Sequence, residues 1–166
     1  MKQFIYLFLI VIFSCEKDDI CSDTKQTTPR IVLEFYNNES PEDTLDVPEL
    51  LAVGLDRGNT EIPITNELIM TRSIIALPLK TNDTQATFIL FENYGVEEGV
   101  VSGNRDTITI TYQTNNVYVS RACGYKTNFT IETVSITEDS DQWIRDSDIL
   151  ITEITNENEI HVKILH

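Results

Sequence analysis

The sequence predicts an all-β protein: an antiparallel β-sandwich carrying one disulfide. Two observations carry that expectation. Isoleucine, valine and threonine supply 52 of the 166 residues, against four alanines. β-Branched side chains suit a pleated surface, and a helical bundle lacking its best helix former is disfavoured. Short segments of alternating polarity also recur between clusters of turn residues. An immunoglobulin-like Greek key is one form of such a sandwich, and a closed barrel is the main alternative.

The segments follow in order. Arg30 to Tyr36 alternates, with Ile31, Leu33 and Phe35 on one face, and Asn37 to Pro41 supplies turn chemistry. Leu45 to Leu55 is apolar but broken by Pro48. Thr60 to Met70 and Ser73 to Leu79 contain Pro63 and Pro78, which predict edge positions or strand ends. After a turn at Thr81-Asn82-Asp83, Thr84 to Glu92 is apolar on both faces and predicts a central strand. Thr107 to Gln113 alternates most regularly, with Ile108, Ile110 and Tyr112 on one face. Thr114-Asn115-Asn116 then reads as a hairpin turn leading into Val117 and Val119. In the next strand Phe129 and Ile131 are odd while Val134 and Ile136 are even, so a bulge or bend is expected at Glu132–Thr133. Ile149 to Thr155 and Ile160 to Leu165 read as a second hairpin about Asn156-Glu157-Asn158.

Composition excludes some functions. A formal net charge of −15 is a poor match for nucleic acid, which attracts clustered Lys and Arg. With 41% hydrophobic residues, the chain is too apolar for a disordered acidic tail.

The amino terminus reads as an address. Lys2 precedes an apolar run from Phe4 to Phe13, about half of the roughly 20 residues a spanning helix needs. Ser14-Cys15 behind that run resembles the bacterial lipoprotein signal, in which the chain is cut before the cysteine and its thiol is diacylated, typically with palmitate-like chains. Ile12 and Phe13 depart from the Leu and small residue that this signal prefers. The implied division is a signal peptide over 1–14, a lipidated Cys15 with a short acidic tether over 15–22, and a single β-domain over 23–166. Lys17-Asp18-Asp19 resembles the export signals that carry some Bacteroidota lipoproteins to the cell surface rather than the periplasmic face of the outer membrane.

Three cysteines then resolve into one anchor and one pair, Cys21 with Cys123. That pairing leaves Glu16 to Ile20 as the free tether, about 17 Å when extended, so the domain is expected close to the bilayer.

Several motifs together resemble a family of small Bacteroidota lipoproteins classed only as a domain of unknown function. They are Cys15 and Cys21; Thr28-Pro29-Arg30 leading to Phe35-Tyr36; Leu77-Pro78-Leu79; and Asp106 before the Ile-Thr repeat. Ser120 to Lys126 around Cys123, Phe129, and His161-Val162-Lys163-Ile164 complete the set. The resemblance implies a secreted β-domain lipoprotein and carries no known activity, so no catalytic residue is transferred.

Chemistry-bearing candidates are few. The two histidines are His161, on the polar phase of the last strand, and the terminal His166. No nucleophile elbow, zinc motif or phosphate loop occurs, and no cofactor is called for. Trp143 with Arg145 is a candidate stacking platform for carbohydrate or peptide, the alternative being that Trp143 plugs one end of the sandwich. Tyr112, Tyr118 and Tyr125 either line a face for the same use or form core and rim. Asp139, Asp141, Asp146 and Asp148 are candidate Ca²⁺ ligands, although their spacing lacks the glycine and downstream glutamate of a calcium loop. Asp43-Thr44-Leu45 and Asp106-Thr107-Ile108 resemble the Asp-Thr-aliphatic site of Bacteroidota O-glycosylation. The expectation is an outer-membrane lipoprotein acting as a binding or assembly module, held by its lipid and meeting an envelope protein or glycan. A small carboxylate-based envelope hydrolase is the alternative, and two carboxyls of raised pKa facing one cleft would distinguish it.

Overall fold

The computed structural model describes residues 21, 27–64 and 69–166. The signal segment 1–14, Cys15 and the tether 16–20 lie outside the described residues. Among the described residues the chain forms strands and no helix, so none is long and apolar enough to cross a membrane.

The strands are β1 (Ile31–Tyr36), β2 (Val47–Leu55), β3 (Glu61–Pro63), β4 (Met70–Arg72), β5 (Ile74–Leu77) and β6 (Gln85–Glu97). They continue with β7 (Val100–Ser120), β8 (Gly124–Thr137), β9 (Asp146–Ile149), β10 (Glu153–Ile154) and β11 (Val162–Leu165). They build two sheets. The smaller runs β5-β1-β11-β9, and the larger runs β10-β8-β7-β6-β2-β3, with β4 also on β2. Pairing is antiparallel except between β1 and β11, where Leu33 lies opposite Val162 and Phe35 opposite Ile164. The first and last strands therefore lie side by side in the middle of the smaller sheet.

Alternation explains the core. Ile31, Leu33 and Phe35 of β1 and Val162 and Ile164 of β11 belong to the same buried cluster as Ala86, Phe88 and Leu90 of β6 and Ile108, Ile110 and Tyr112 of β7. As predicted for a central strand, β6 is buried on both faces, with Ile89 and Phe91 opposite the core set. Pro63 ends β3 at one edge of the larger sheet, and Pro78 follows β5 at an edge of the smaller one. Neither position removes an interior ladder bond.

The expected slip in β8 is a bulge. Thr111 faces Thr133 and Tyr112 faces Ile131, so Glu132 is the extra residue. A second irregularity lies between Glu92 and Gly95. There Asn93 has φ 54° and Gly103 has φ 113°. A Cβ on Gly103 would stand 2.8 Å from the Glu92 carbonyl oxygen, so only glycine fits.

Two hairpin expectations are corrected. Thr114-Asn115-Asn116 is not a turn, because β7 continues to Ser120 with Asn115 opposite Asn128 and Asn116 opposite Thr127. Asn116 Oδ1 accepts the Thr127 hydroxyl at 2.8 Å, so the polar pair extends the ladder. The turn falls at 121–123, followed by Gly124 at φ 68°. Beyond Tyr112 β7 carries no buried residue, although β8 opposite it stays buried at Thr127 and Phe129, so the alternation that marks a strand disappears from β7. The proposed closing hairpin is likewise replaced. β11 pairs with β9, Val162 against Ile149, while Glu153 and Ile154 move to the larger sheet against β8.

Candidate functional site

One end of the sandwich is organised around Asp106. It occupies the inward phase of β7, two residues before Ile108, and is fully buried. Its Oδ2 accepts the backbone N–H groups of Trp143 (2.9 Å) and Ile144 (2.7 Å). Burial raises its carboxyl pKa above the ordinary value, with the charges of Asp139 and Asp141 adding to the rise, while the two N–H donors oppose it. Asp106 thus fixes the crossing between β8 and β9.

That crossing seats Trp143. Its ring stacks on Phe35 (centroids 6.0 Å apart, planes at 27°) and meets His166 edge-on at 5.7 Å. At 6% exposure, the ring plugs the sandwich end and offers no stacking platform. Arg145 is exposed, and its backbone N–H donates to the Leu165 carbonyl at 2.7 Å. The two residues proposed as one binding surface are therefore divided between core and solvent.

The calcium expectation is also corrected. Among the described residues no three His, Cys, Asp or Glu side chains converge to hold a metal ion. Asp139 accepts the Asp141 N–H and Asp146 accepts the Ser147 N–H, while Asp148 lies in β9 opposite Lys163. Asp139 and Asp141 lie in the loop after β8, whereas Asp146 and Asp148 share the exposed face of β9.

His161 departs from its predicted polar position, being fully buried. Its Nδ1 accepts the Val32 N–H at 3.0 Å, which requires a neutral ring with the proton on Nε2. Burial lowers its pKa, with Glu157 and Glu159 acting the other way. His161 ties the end of the chain to β1 and faces no cleft.

The three tyrosines separate. Tyr112 is fully buried, and its hydroxyl donates to the Lys80 carbonyl and accepts the Lys80 N–H, both at 2.9 Å. Burial pushes its pKa up to about 12. Tyr118 and Tyr125 face each other across the β7–β8 tip and are exposed. The two Asp-Thr-aliphatic sequences also separate: Thr44 is exposed on a loop, whereas Thr107 is part-buried within β7 beside the buried Asp106.

The disulfide joins Cys21 to Cys123, 102 residues apart, at that same tip. Thr28 Oγ1 then accepts the Thr127 N–H at 3.0 Å, and Arg30 pairs with Glu157 at 2.7 Å. Thr28 is thereby held against β8 and Arg30 against Glu157, just ahead of β1. A separate apolar groove of about 260 Å³ opens between β3 and the start of β6, lined by Gly54, Leu55, Ile62, Leu79 and Phe88 with Lys80 at its rim. Its wall includes Ile64, adjacent to residues 65–68, which lie outside the described residues.

Sequence reasoning did not identify Asp106 as the residue that organises this end. The signal was present: positions 106, 108, 110 and 112 share one phase, which places an acid among three core residues.

No curated protein and no solved structure matches the chain. Residues 49–166, more than half of the chain, match a family of unknown function (DUF6452). The matched span runs from within β2 to β11 and takes in Asp106, Trp143 and Cys123. The chain belongs to this family.

Proposed function

We propose that the protein is a lipid-anchored cell-envelope lipoprotein of the Bacteroidota type, whose β-domain serves at the outer membrane as a binding or assembly module. The observation that carries this reading is the Cys21–Cys123 disulfide. It consumes two of the three cysteines and leaves Cys15 directly behind the apolar run Phe4 to Phe13. A structural disulfide suits an exported protein, and two or more acyl chains on one terminus give stable attachment. The hydrolase alternative calls for two carboxyls of raised pKa facing one cleft; among the described carboxyls Asp106 is raised and is buried behind Trp143 and Ile144, whereas Asp56, Asp83 and Glu157 are held low by their donors.

The test is the mature amino terminus. The full chain and Cys15→Ser are expressed in a bacterial host and their intact masses compared. A wild-type chain that begins at Cys15 and carries acyl chains, with the variant unlipidated and released from the membrane fraction, supports the reading. An unmodified Cys15 overturns it. Protease shaving of intact cells then assigns the membrane face, and crosslinking from the native envelope identifies the partner.

A further inference from the structure

The longest strand is β7, whose 21 residues have a contour of about 68 Å at roughly 3.4 Å per residue. Both of its ends are hairpin arms, and the two arms differ in chemistry. At the β6–β7 end, Glu97 and Glu98 sit with the exposed Val96, Val100 and Val101. The two strands of the β7–β8 arm carry no acid: from Thr107 to Ile131 the only charged residues are Arg121 and Lys126, in a chain with 27 Asp and Glu.

The β7–β8 arm also carries an exposed aromatic pair. Tyr118 and Tyr125 are 58% and 71% exposed, and their rings meet edge-on at 5.5 Å. Two tyrosines left in water at the end of an arm do nothing for the core. Tyrosine is the side chain that concentrates at membrane–water interfaces, with its ring among acyl carbons and its hydroxyl in the headgroups.

The chain itself says which surface this arm meets. Cys123 lies at the tip, with its Cα 4.8 Å from that of Cys21. Cys21 is six residues beyond Cys15, so the tip stays within about 20 Å of the anchor at ~3.3–3.6 Å per residue. We propose that Tyr118 and Tyr125 seat in the headgroup layer of the membrane that holds the anchor, standing the domain with β7 pointing away from the bilayer. This rests on the lipoprotein reading above. The exposed Arg121 then faces anionic headgroups, and the acidic β6–β7 arm lies at the far end, where such headgroups do not repel it. The acids nearest the anchor in sequence are Glu16, Asp18, Asp19 and Asp23.

The experiment uses the lipidated mature protein, ¹⁵N-labelled, in nanodiscs of phosphatidylethanolamine with a minority of phosphatidylglycerol. Part of the lipid carries a gadolinium chelate on its headgroup. Broadening of amide signals at 118–126 several-fold stronger than at 96–101 is the expected result. In Tyr118→Ser/Tyr125→Ser that excess falls several-fold while the lipid and the disulfide are retained; both side chains are exposed, so the core is untouched. A lipidated wild-type chain with equal broadening at the two arms, or stronger broadening at 96–101, overturns the orientation and leaves the lipoprotein reading standing. So does crosslinking of the tyrosine pair to an envelope protein or a second copy instead of lipid. An intact mass without acyl chains at Cys15 overturns both.

Discussion

The Oδ2 atom of Asp106 accepts the backbone N–H of Trp143 at 2.9 Å, joining the centre of β7 to the loop that closes one end of the sandwich. The same oxygen holds the Ile144 N–H at 2.7 Å. Asp106→Ala leaves both donors buried and unpaired, and a loss of about 3 kcal/mol is expected in urea unfolding. Trp143 is the single tryptophan, so near-UV circular dichroism reads the loop directly. The variant loses that signal before the sheets unfold. An unchanged signal and midpoint would show that the aromatic packing with Phe35 and His166 holds the loop by itself.

Tyr112 closes the other end of the same inward row of β7. Its hydroxyl serves both the N–H and the C=O of Lys80, and its ring meets Phe129 edge-on at 5.3 Å. Tyr112→Phe keeps the ring and strands both backbone groups, so roughly 1–3 kcal/mol is lost. In spectrophotometric titration the wild type holds two tyrosines, Tyr36 and Tyr112, whose pKa is pushed up to about 12, and the variant keeps only that of Tyr36.

His161 gives the fold a pH dependence of definite sign. Its pKa is lowered on folding from the ordinary 6.5. Its contribution is therefore complete above the unfolded value and is lost as pH falls through the folded one, because a proton on Nδ1 breaks the bond from Val32. The urea midpoint should begin to drop as pH falls below about 7.5, one unit above the ordinary histidine value, and keep dropping until the folded ring protonates. Asn at this position can accept the Val32 N–H without titrating. His161→Asn should flatten the drop, and an equal drop in the variant would assign it elsewhere.

Reduction of Cys21–Cys123 should cost about 2–4 kcal/mol. The chain-entropy figure for a loop of this length is near ~4.7, and the freed terminal segment regains part of that freedom in the folded state. The Thr28–Thr127 and Arg30–Glu157 contacts keep β1 in place. Cys21→Ser is thus expected to fold with the same near-UV spectrum at a lower Tm. Unfolding at ambient temperature would show that the disulfide, and not the core, holds β1 to the sheet.

Legibility followed the core. Where one face of a strand is buried, period two survives in the sequence: Ile31, Leu33 and Phe35 on β1, Ile108, Ile110 and Tyr112 on β7, and the phase change that marks Glu132 as a bulge. Where β7 leaves the core, Thr114-Asn115-Asn116 resembles a turn, and only pairing with Asn128 and Thr127 shows that it is strand. The closing hairpin misled for a different reason. Ile149 and Ile154 look like one run, but each is buried in a different sheet, and the chain crosses between them.

By itself, then, the sequence determined the class of the fold, the inward face of its main strands, the cysteine pair and the apolar run ahead of Cys15. These depend on local alternation and on counting. Only the tertiary structure decided that β1 and β11 lie parallel, that Trp143 is core while Arg145 is surface, and that His161 is buried. It also set Asp139 and Asp141 in a loop and Asp146 and Asp148 on β9 instead of gathering the four. Each of these turns on which distant segment covers a residue, and that is set by how two sheets share one core rather than by any neighbour along the chain.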